Sequence, residues 1–121
     1  MRGSSFCEVF TALTPSARRR IVEEALSLGY AVKDVAYLMG VSPSAVSRYV
    51  HGTLIPSPNS LCRLLISVEG DTRDKLLRVV IVELWKALRR VVEYVGNEVY
   101  LKEVVEYLAD EVSKLVEELH K

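Results

Sequence analysis

Three times the chain sets a hydroxyl side chain directly before a proline: Thr14-Pro15, Ser42-Pro43 and Ser57-Pro58. Proline has no amide hydrogen, and its fixed φ suits the first helical position, where that hydrogen would find no partner anyway. The hydroxyl before it accepts from an amide of the first turn. Each pair therefore marks a helix start. Gly29, Gly40, Gly52 and Gly70 mark the stops. The pattern predicts helices over about 15–28, 32–39, 43–51 and 58–68, with Ile55-Pro56-Ser57-Pro58 as a rigid connector. Asp71 is expected to cap a fifth helix over about 72–95; Asp71 and Asp74 sit at its start, where the helix dipole favours anions. Gly96-Asn97 breaks it, and a sixth helix runs from Glu98 nearly to the end. Strand signals are nearly absent, and there is no internal repeat. The expected fold class is all-α, with a headpiece of about four helices (1–70) followed by a long two-helix hairpin (71–121).

Composition narrows the class. Half of the 121 residues are hydrophobic and 16 Lys/Arg balance 16 Asp/Glu, which excludes a wholly disordered chain. No apolar run reaches the about 18 residues of a membrane span. Val79-Val80-Ile81-Val82, for example, is cut by Glu83. The stretch Met1–Phe6 has no signal-peptide hydrophobic region. A cytoplasmic protein with no membrane partner is expected.

The zero net charge hides an asymmetry. Residues 1–63 carry seven Lys/Arg against four acids, and residues 64–121 carry nine against twelve. A basic front and an acidic back suggest that the front half faces a polyanion. Cys7 and Cys62 make no metal-ligand pair, and two buried free thiols are the ordinary reading. A disulfide is the alternative. It gains weight from a composition without Gln, with two Asn and with many Val, Glu and Arg. That bias suits a hyperthermophile, where intracellular disulfides occur.

The informative stretch is Val32–Gly52, VKDVAYLMGVSPSAVSRYVHG. Two short helices flank a turn that opens on Gly40, where the chain must reverse sharply and enter the left-handed region. Ala36 is small where a bulky side chain would push the helices apart. Val35, Leu38, Val41, Val46 and Tyr49 or Val50 fall on inward positions. This is the spacing of a helix-turn-helix; an ordinary helical hairpin is the alternative.

These residues resemble the phage-repressor type (Cro and lambda-repressor-like) of helix-turn-helix. The resemblance rests on Val35-Ala36, Leu38, Gly40-Val41-Ser42, Ala45-Val46-Ser47-Arg48-Tyr49, Gly52, and Pro56-Ser57 before Leu61. It covers about residues 15–68, and small archaeal regulators with this module are similar. It implies that the helix over 43–51 lies in the major groove of double-stranded DNA. The family often has Gln at the first position of the second helix. Val32 stands there, which leaves Lys33 as the phosphate contact.

With Val46, Tyr49 and Val50 facing the core, the outward set is Ser44, Ala45, Ser47, Arg48 and His51. Arg48 can bridge guanine O6 and N7 with two hydrogen bonds; a phosphate-only contact is the plainer role. Ser42 and the free amides of the helix start can bind phosphate. His51 suits phosphate or open solvent. Arg18, Arg19 and Arg20 spread over more than half a turn, so they cannot share one face. Arg18 and Arg19 are phosphate candidates, and salt bridges to Glu23 and Glu24 are the competing role.

The back half carries a seam. Leu101, Val105, Leu108, Val112, Leu115 and Leu119 follow a 4-3 spacing, with β-branched residues at a and Leu at d, which favours two strands in parallel coiled coils. Leu77, Ile81, Leu84, Leu88, Val91 and Val95 repeat the rhythm on the fifth helix, whose apolar stripe is wider than one seam needs. An antiparallel hairpin whose two copies pair is expected, giving a homodimer; a monomer with the hairpin folded back on the headpiece is the alternative.

Catalytic patterns are missing from the sequence. There are two His, no Gly-rich phosphate loop, no Cys-x-x-Cys and no His-x-x-x-His. No enzyme activity, cofactor or metal is expected. The function expected is sequence-specific binding of double-stranded DNA by a homodimer, in transcriptional regulation. The competing class is a protein-interaction adaptor, or an antitoxin-like module with a structural helix-turn-helix.

Overall fold

The computed structural model describes residues 2–96 and 99–121. The described residues are all-helical: α1 (Arg2–Glu8), a 3-10 turn (Val9–Ala12), α2 (Pro15–Ser27), α3 (Val32–Met39), α4 (Pro43–His51), α5 (Pro58–Ser67), α6 (Gly70–Val95) and α7 (Val99–Leu119). Asn97 and Glu98, expected to close the last turn and open the last helix, lie outside the described residues. No helix among the described residues is long and apolar enough to cross a membrane.

The three hydroxyl–proline starts form as the chemistry requires. Thr14 Oγ1 accepts from Ala17 N, Ser42 Oγ from Ala45 N and Ser57 Oγ from Ser60 N, each at 3.1 Å. Proline is the first helical residue in all three. Asp71 differs from expectation. The long helix already begins at Gly70, so Asp71 lies inside its first turn and pairs with Lys75 Nζ at 3.1 Å.

The chain divides into two compact units, Met1–Ala87 and Leu88–Lys121. The first is larger than the expected 1–70 headpiece, because Leu76 and Val80 of α6 belong to its core. That core also takes Phe10, Ile21, Val22, Val35, Met39, Val46, Leu61, Leu64 and Leu65, all fully buried. Leu77 and Leu84, expected at a dimer seam, are half-buried against this core instead.

Helix α1 was not expected. It holds Phe6, whose ring meets Phe10 edge-on at 5.3 Å between centroids. It also holds Cys7, which is bonded to Cys62 of α5. The free-thiol reading is thereby corrected: the two Cα atoms lie 5.2 Å apart, within the 4.4–6.8 Å that a disulfide spans. Helix α1 packs against α5 with Phe6 and Cys7 half-buried, which brings the thiols together.

In the second unit, α7 buries none of its described residues. Leu101 is half-buried, Val105 and Leu108 are exposed, and Val112 and Leu115 more so. Val92 of α6 lines one cleft with Leu101 and Val105 of α7, and beyond it Leu108, Val112 and Leu115 lie open.

Candidate nucleic-acid interface

Helices α3 and α4 pack on each other, with α3 also against α5 and α4 against α2. The turn between them rests on Gly40, at φ 73° and ψ 32°. The next amide, of Val41, reaches back to Ala36 O at 3.0 Å, which closes α3 while the chain reverses. Ala36 is 1% exposed, so its small side chain sets how closely the elements approach. Two inward expectations change. Val50 faces out, 37% exposed, while Met39, not expected in the core, is fully buried. Leu38 and Val41 are half-buried.

The face that α4 leaves open carries Ser44, Ser47, Arg48 and His51, all exposed, with Ala45 half-buried beside them. Ser42 is exposed at the start, and its hydroxyl also lies 3.1 Å from that of Ser44. The expected anion cradle at this helix start is small. Pro43 has no amide hydrogen and that of Ala45 goes to Ser42, so the Ser44 amide is the open donor among the first three. His51 Nδ1 lies 2.7 Å from Ser47 O. With a proton on Nδ1 donated to that carbonyl, Nε2 is the ring atom left for an outside partner. Burial pushes the Tyr49 phenol above its ordinary pKa, so the side chain under this face stays neutral.

Lys33 is exposed on α3, with Asp34 beside it. The arginine triplet does three different things. Arg18 donates from Nε to Leu13 O at 3.1 Å and from a terminal nitrogen to Pro56 O at 3.4 Å. It ties the entry of α2 to the connector before α5, and its donors are turned inward, so the expected phosphate role does not fit its placement. Arg20 pairs at 2.9 Å with Glu83, a carboxylate only 9% exposed that Lys86 also approaches at 3.4 Å. Arg19 pairs with Glu23 at 3.0 Å and lies over Gly52, where an added Cβ would come within 3.1 Å of its guanidinium. Of the triplet, Arg19 alone is next to α4.

One residue that local sequence patterns missed is Arg63. Its guanidinium sits on Gly40, so close that an added Cβ would overlap it. Arg63 and Arg19 thus each bring a cation to the carboxyl end of one of the two helices, where the helix dipole is negative. Residues 28–63 hold three cations, Lys33, Arg48 and Arg63, against the single acid Asp34, so this region is positive although the whole chain is neutral.

Gly40→Ala is expected to destabilise the protein by about 1–2 kcal/mol, because a Cβ at this φ is strained. Arg63 ends in a flexible side chain and can swing away. The unfolding midpoint in urea should fall with its slope unchanged; an unchanged midpoint would refute the strain.

No family model, no curated protein and no solved structure matches the chain.

Proposed function

We propose that the chain binds double-stranded DNA sequence-specifically, as a cytoplasmic homodimer, in transcriptional regulation. The observation that carries the reading is the α3–Gly40–α4 arrangement, with Ser44, Ser47, Arg48 and His51 exposed together on α4. A helix with short polar side chains and one arginine on its open face can enter the major groove closely and still place a guanidinium on a base edge. The local positive charge and the resemblance to phage-repressor modules support the same reading. Arg48 is assigned to a base edge. Lys33, the Ser42–Ser44 start, Arg19 and His51 are assigned to phosphates.

The test is duplex binding against salt. Each phosphate contact releases counterions, so affinity should fall steeply as salt rises. Arg48→Ala should cost about 1–3 kcal/mol on the preferred site and relax preference at one base position. Equal loss on every sequence would give Arg48 a phosphate role. Lys33→Ala should weaken all duplexes alike and lower the salt slope by about 1. An unchanged slope would remove Lys33 from the interface.

The exposed apolar face of α7 favours one further reading, a protein-interaction adaptor or antitoxin-like module. That reading predicts no duplex binding at moderate salt.

A further inference from the structure

Helix α6 has two apolar faces. One, with Leu76 and Val80, is in the core of the first unit. On the other, Ile81, Trp85, Leu88 and Val92 recur at four, three and four residues, and all are exposed, Trp85 by 59%. At 3.6 residues per turn, Arg78 and Arg89 fall along one flank of this stripe, Arg89 already pairing with Glu93 on the same helix at 2.7 Å. On α7, Leu108, Val112, Leu115 and Leu119 form a second stripe, 39–75% exposed. The same geometry puts Glu111 and Glu118 along its flank. Overall α6 carries six cations against four acids, and α7 two against six.

We infer that two copies of the chain pair crosswise, with the acidic-flanked stripe of α7 in one copy lying on the basic-flanked stripe of α6 in the other. This deepens the homodimer in the proposed function and rests on it. Both complementary faces are on one chain, in equal number, and both are open. A two-fold axis makes the crossing twice and closes the assembly. Antiparallel pairing of α7 with α7, or of α6 with α6, would set like-charged flanks together, whereas α7 lying parallel on α6 sets unlike flanks together.

The test uses the full chain, followed by sedimentation equilibrium at low salt. The native protein should be a dimer. Arg78→Glu with Arg89→Glu, and separately Glu111→Lys with Glu118→Lys, should each raise the dimer dissociation constant about tenfold or more, since every crossing then opposes like charges. An equimolar mixture of the two variants should recover near-native affinity as a heterodimer. If each variant alone dimerises as the native chain does, like faces meet, and the crosswise pairing is overturned while the homodimer stands. A monomeric native chain overturns the homodimer itself. Should circular dichroism show that a reversal costs helix content, the Gln replacements at the same four positions are read in its place. Weakening then supports the pairing, and native affinity overturns it.

Discussion

Reducing the Cys7–Cys62 bond is expected to lower stability by about 4 kcal/mol, the chain-entropy value for a closed loop of this length. The two cysteines are 55 positions apart, so the bond closes more than half of the first unit into one loop. The expected fall in melting temperature is on the order of 10–20 °C. Helix α1 adds little helical stability of its own. It is seven residues long, includes Gly3-Ser4-Ser5 and has no acidic residue in its first turn. Short helices of this kind are marginal without tertiary support. Urea unfolding with and without reductant measures the difference. An unchanged midpoint would mean that the Phe6 and Phe10 contacts suffice to hold α1.

Replacing Leu108 and Leu115 by Asp is expected to leave a monomer with a folded first unit and duplex affinity lower by about a hundredfold or more. Both leucines lie in the exposed stripe of α7, where no residue of their own chain buries them. Asp there costs the monomer little. In a dimer it would bury charge without a partner, which is costly. In the proposed homodimer, loss of the second recognition helix removes the gain from binding two half-sites at once, a factor of about 100 to 10,000 in linked binders. Light scattering together with fluorescence anisotropy on a two-site duplex reads both effects. A variant that stays dimeric would place the interface elsewhere. A monomer with native affinity would show that one headpiece suffices.

Much of the fold is legible in the sequence where the signal is local. A hydroxyl before proline has one good use at a helix start, and Thr14, Ser42 and Ser57 all serve it. Gly40 and Gly52 end α3 and α4 because the left-handed conformation there is nearly closed to other residues. What the sequence hides is tertiary. Helix α1 has weak local propensity and depends on Cys62, 55 residues away. The partners of the arginine triplet, Pro56 for Arg18 and Glu83 for Arg20, lie 38 and 63 residues along the chain. No periodicity announces them. Arg63 was invisible for the same reason, because its contact with Gly40 crosses from α5 to α3. On α6 the heptad rhythm was real, but it did not say which apolar residues serve which neighbour. Leu77 and Leu84 turn toward the core, while Ile81 and Leu88 are left open.

The proposed function is sequence-specific duplex binding by two recognition helices. Selection of binding sites from a random duplex pool with the purified chain at moderate salt tests it most directly. An enriched, two-fold symmetric motif is expected, with half-sites about one DNA turn apart, roughly 34 Å. The Arg48→Ala variant should lose the preference at one position in each half. A pool that emerges without an enriched motif, from a chain that is folded and dimeric, would rule out sequence-specific duplex binding.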